Sequence, residues 1–114
     1  MKGKGLLPIG TVVLLKDAIH RLMITGFSAV SYAEKTKVYD YWGCFYPEGQ
    51  IESDQHFVFN NSNISKVIHE GYSDDEEKKF RKEVEVLIDK IRDENGIMKV
   101  TPEELNKIIA NGGK

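Results

Sequence analysis

Cys44 is the single thiol of this 114-residue chain, and His20, His56 and His69 are its three imidazoles. A thiol beside an imidazole makes a nucleophile when its pKa is lowered and a base lies within hydrogen-bond reach. Cys44, however, stands inside the aromatic run VYDYWGCFY, where a buried, inert thiol is the ordinary outcome. The histidines lie on separate segments with no paired ligand spacing. One cysteine and scattered imidazoles make a poor zinc site, so the histidines are read as ordinary strand and turn residues. No catalytic residue, metal site or cofactor is expected.

Two sets of carboxylates have simpler explanations than chemistry. DENGIMKVTPEE, from Asp93, has oxygen ligands where a calcium loop wants them at its first, third and twelfth positions: Asp93, Asn95 and Glu104. The fifth position is Ile97 and the sixth is Met98, where such a loop needs glycine for its sharp bend. A helix–loop–helix connection without metal fits better. In SDDEE, Ser73 to Glu77, no apolar surroundings would raise a carboxyl pKa for acid–base work, and helix capping accounts for the charges.

The aromatic residues suggest binding instead. Tyr32, Tyr39, Tyr41, Trp42 and Tyr46 are more aromatics than one small barrel face needs, and tyrosine and tryptophan are enriched at interface hot spots. Along the strand, Val38, Asp40, Trp42, Cys44 and Tyr46 alternate with Tyr39, Tyr41, Gly43 and Phe45. Core packing is the simpler role for Trp42; exposure of Tyr39 and Tyr41, on the opposite parity, stays open. A second candidate surface lies on a helix between Val84 and Ile91, where Val86 and Ile88 widen the apolar stripe. The candidate partner-binding residues are therefore Tyr39, Tyr41, Trp42, Tyr46, Val86 and Ile88.

The elements that must position these residues follow from hydrophobic period and punctuation. TVVLLKD (Thr11–Asp17), RLMITGF (Arg21–Phe27), VYDYWGCFYPEGQI (Val38–Ile51), HFVFN (His56–Asn60) and SKVIHEG (Ser65–Gly71) read as five short strands. Ser28–Lys37 reads as a surface loop or a strand extension, and Pro47–Glu48–Gly49 as a turn. Strands so spaced, without helices between them, imply an antiparallel meander or small barrel. From Ser73 the period becomes helical. Ser73 and Glu76 form a capping box, and Phe80, Val84, Leu87 and Ile91 share one stripe of a helix running to about Asp93. Thr101, Pro102 and Glu104 start a short second helix with Leu105, Ile108 and Ile109 on its apolar face, and the final NGGK is expected to fray. The fold class is α+β: a five-stranded antiparallel, SH3-like or barrel-like sheet, then two C-terminal helices. It forms a single domain over 1–114, with the sheet at 6–72, the long helix at 73–93 and the short one at 101–110.

Bulk properties narrow the partners. A net charge of −2 argues against nucleic acid and gives no attraction to an anionic membrane. No window reaches the length of a membrane span, and the apolar run after MKGKG stops at Pro8, too short for a signal peptide. A single cysteine cannot form an intrachain disulfide. The expected compartment is the cytoplasm, and co-secretion with a partner is compatible with the same features.

Taken in order, LLPIGTVVLLKD, RLMITGF, YDYWGCFYPEGQI and FNNSNISKVIHEGYSDDEEKKF resemble a family of small uncharacterised proteins of Gram-positive bacteria. Its members are encoded in type VII (Ess/ESX-like) secretion clusters beside LXG-type toxin genes. The resemblance covers Leu6 to about Ile91, and its blocks fall on Pro8, Gly10, Gly26, Tyr41, Pro47, Gly49, Gly71 and Tyr72. It implies a cytoplasmic accessory or chaperone-like protein that helps a toxin reach its export machinery, and it implies no catalytic residues. YSDDE, Tyr72 to Glu76, fits the short Tyr-x-x-x-acidic export pattern but precedes a helix instead of trailing a helical hairpin, and is set aside. The expected function is non-enzymatic recognition of a secreted toxin or its targeting proteins, with homo-oligomerisation left open. The alternative is an immunity protein that blocks the toxin, although near-neutral charge does not favour electrostatic inhibition.

Overall fold

A computed structural model describes residues 5–31, 36–53 and 56–110, the Ile109 side chain apart. Tyr32, the basic residues at the start and the NGGK tail lie outside the described residues.

Five strands form where the apolar and β-branched runs predict them: β1 (Val12–Leu15), β2 (Leu22–Ser31), β3 (Lys37–Phe45), β4 (Phe57–Phe59) and β5 (Ile64–His69). They make one antiparallel sheet in the order β4-β3-β2-β1-β5. β4 and β5 are opposite edges of this sheet, yet only a 3-10 turn, Asn61–Asn63, joins them. So short a link forces the sheet to curl back on itself, as an SH3-like arrangement requires. It does not close: β4 and β5 form no ladder with each other. Of the two readings of Ser28–Lys37, the strand extension holds for residues 28–31, which continue β2.

The curl has a local cause in β2. The β2–β3 register shifts between Ile24 and Gly26, and Ser28 adopts a left-handed φ of 57°. A serine there is strained, and its Oγ is buried with no hydrogen-bond partner among the described residues.

Helix α1 (Asp75–Ile91) follows the sheet, and α2 (Pro102–Ala110) ends the described chain. The N-cap of α1 is Asp74, not the expected Ser73: Glu77 N donates to Asp74 Oδ1 at 2.9 Å. Ser73 is drawn away because its hydroxyl donates to the Glu77 carboxylate. The capping box expected for α2 is present, with Thr101 N donating to Glu104 Oε1 and Glu104 N to Thr101 Oγ1. Val84, Ile88 and Ile91 are buried. Phe80, expected on the same stripe, is half exposed with its ring against Phe27. Burying each aliphatic side chain is worth about 1.5–3 kcal/mol, against about 1 kcal/mol for a cap, so docking on the sheet holds α1 more than capping does.

The core joins Leu6, Val13, Leu22, Ile24, Tyr41 and Phe59 to Val84 and Ile88 of α1. The first described residues close one mouth of the curled sheet. Leu6 N donates to Glu85 Oε2, Leu6 O accepts from Arg81 Nη1, and Leu7 N donates to Tyr41 Oη at 2.9 Å. Arg81 is itself held by Glu77, 2.6 Å from its Nε. Where the chain leaves β5 it crosses this segment so closely that a Cβ on Gly71 would lie 2.3 Å from Ile9 O. Thr11 Oγ1 locks the crossing by accepting from Gly71 N at 3.0 Å.

Two substitutions test this account. Gly71→Ala forces apart two backbones that have no room to yield, and is expected to destabilise by about 1–3 kcal/mol in urea unfolding. Ser28→Gly removes both the strained φ and the unpartnered hydroxyl, and is expected to stabilise by about 1 kcal/mol in the same measurement.

Candidate partner-binding surface

β3 is covered on both parities, so most of its aromatics are not free. Tyr41 is wholly buried: Leu7 N donates to its oxygen and its hydroxyl donates to Asn61 Oδ1. Burial pushes its phenol above the ordinary value. Trp42 is half-buried, its ring edge-on to His56 at 5.1 Å, and Tyr39 is half-buried. On α1, Val86 is 54% exposed, whereas Ile88 has no accessible surface. The expectation of an exposed anchor is therefore corrected for Tyr41 and Ile88. Both belong to the core, because α1 lies over the face of β3 that carries Tyr41. A simple alternation along β3 could not reveal that both of its faces are covered.

Exposed apolar side chains occur on several faces, Tyr72 and Val86 among them, and one group of them lies at the end of the sheet made by the β1–β2 and β3–β4 turns. His20 lies on Phe45 with ring centroids 4.2 Å apart, and Phe45 lies on Phe57 at 4.5 Å. Tyr46, 37% exposed, lies beneath the Arg21 guanidinium, 5.0 Å from the ring centroid. The Tyr46–Pro47 peptide is cis. Ile19, Arg21, Tyr46 and Pro47 line a shallow cleft of 180 Å³ with His20 and Glu48. Ile19 is 99% exposed at its rim. His20 Nε2 and Glu48 Oε1, 3.0 Å apart, tie the two turns together, and this hydrogen bond holds the Glu48 carboxyl below the usual carboxylate range. Of the six candidates, only Tyr46 sits in this cleft. Sequence reading missed Ile19, His20, Phe45 and Phe57 because they lie on three segments that only the fold brings together.

Cys44 is buried, and burial pushes its thiol up, away from the reactive thiolate. His20 and His56 contact aromatic rings, and His69 ends β5. The Asp93 carboxylate accepts from Asn95 N and Ile97 N, and Glu104 caps α2.

A second polar cluster ties β3 to the end of α1. Arg92, at the C-cap of α1, is buried with Nη1 3.0 Å from Asp40 Oδ1, and donates to Val38 O and Asn60 Oδ1 at 3.2 Å. The other Asp40 oxygen accepts from Asn61 N at 2.9 Å. The signal for this pair was available: an aspartate in the middle of VYDYW is a charge in a core strand, and such a charge must be paired. Its partner was not identifiable from sequence.

A curled but open five-stranded sheet with two following helices makes this a small α+β domain. The chain belongs to the family described as domain of unknown function DUF4176, whose model matches residues 6–80. No curated protein and no solved structure matches it. The match takes in every strand and the first turns of α1, including Ile19, Tyr46 and Gly71; Arg92 and α2 lie beyond it. Among the described residues no helix is long and apolar enough to cross a membrane.

Arg92→Ala leaves Asp40 buried without its cation and is expected to cost about 3–5 kcal/mol in urea unfolding; the double variant Asp40→Asn, Arg92→Met should cost much less than the sum of its parts. At the exposed cleft, His20→Phe keeps the ring on Phe45 but removes the hydrogen bond to Glu48. The Glu48 pKa should then rise toward its ordinary value in an NMR titration. Because the folded pKa is the depressed one, any stabilisation from this pair is present above the unfolded pKa and lost as pH falls through the folded pKa.

Proposed function

We propose that this protein is a non-enzymatic binding module, acting in the cytoplasm as an accessory or chaperone-like factor for an LXG-type toxin exported by a type VII system. The sequence blocks from Leu6 to Ile91 supply the link to that system. The observation that carries the binding reading is the exposed apolar end, where Ile19 and Tyr46 stand beside Arg21, His20 and Glu48. Aromatic and aliphatic anchors within a polar rim are the anatomy of a protein interface. A client's apolar segment laid on this end would be kept from aggregating until export.

Co-expression with the toxin's targeting region and, separately, with its toxic domain tests the reading. The targeting region should co-purify with the protein. Ile19→Asp together with Tyr46→Ala should weaken that complex at least about tenfold, the scale of a lost hot spot. Capture and inhibition of the toxic domain alone would replace this reading with the immunity one. Capture of neither would end it.

A further inference from the structure

The chain beyond the family match makes a second use of the sheet. β4 pairs with β3 only at Tyr41, Trp42 and Gly43, so the first part of β3 lacks a neighbouring strand on that side. The C-terminal arm fills the gap. Val38 N donates to Gly96 O at 2.9 Å, Met98 N donates to Thr36 O at 2.8 Å, and Arg92 Nη1 donates to Val38 O. The arm reaches this edge through a small hairpin: Arg92 bridges Met98, and Asp93 to Gly96 make the turn. The turn needs Gly96 at φ +81°, and the Asp93 carboxylate gathers its amides.

We propose that the start of β3 is a strand-addition site filled in cis by residues 96–98, and that the same site accepts residues 96–98 from a second copy of this chain. The occupant in trans is fixed by what already sits there, since residues 96–98 of a second copy present the same backbone groups, while Arg92, before the turn, stays on Asp40 of its own chain. A single tight turn, residues 93–96, decides between the two arrangements. This inference does not depend on the proposed client.

Gly96→Val tests it, because a β-branched residue at positive φ opposes the turn while leaving an extended strand free to pair. The variant should elute as a concentration-dependent dimer in light scattering, with the Val38 amide still protected from exchange. The wild-type chain should be predominantly monomeric. In the wild-type chain, the Val38 and Met98 amides should exchange at least about tenfold faster than the Ile24 amide, as an arm that opens by itself requires. A folded Gly96→Val chain that stays monomeric at all concentrations would overturn the proposal. So would an unfolded one, or wild-type exchange of all three amides in a single global event, since an exchangeable arm cannot carry the fold.

Discussion

Asp40 is a charge in the middle of a core strand, and much of the architecture is arranged around keeping it satisfied. Removing a carboxylate from water costs several kcal/mol after relaxation, which only a close cation and further hydrogen bonds offset. Asn61 N from the 3-10 turn and Arg92 from the end of α1 supply them. Three segments distant in sequence are thereby fixed to one point. The turn that makes the sheet curl, the strand β3 and the helix that covers it cannot move independently without exposing a buried charge.

A second set of contacts, joined to the first through Asn61, ties the start of the chain to the core. Leu6 and Leu7 carry no polar side chain, so their backbone groups are satisfied by Glu85, Arg81 and the Tyr41 hydroxyl. Tyr41 therefore serves both the core and this seal, through a hydroxyl that bonds Asn61 while accepting from Leu7. Such a residue cannot also anchor a partner. At the turn end of the sheet, Ile19, Tyr46 and His20 remain accessible.

The division between the family-matched residues and the rest is also physical. Residues 6–80 contain every strand, but they lack the cation for Asp40 and the pairing partner for Val38. Residues 92–98 supply both. In this chain the arm is thus part of how the sheet edge and its buried charge are satisfied, and it pairs with the part of β3 that the three-residue β4 leaves uncovered.

What the sequence alone determined is local. Apolar and β-branched runs bounded by turn residues placed all five strands, helical period placed both helices, and Thr101 with Glu104 marked the start of α2, because these signals act over a few residues. Even so, a neighbour a single position away displaced one cap: Asp74 took the role expected of Ser73. Tertiary structure alone decided that Tyr41 and Ile88 are core, that Asp40 meets Arg92, and that Ile19, His20 and Tyr46 share one cleft. Side-chain parity says which residues share a face of a strand. It does not say what covers that face, and a strand covered on both sides hides aromatics that a one-sided strand would display.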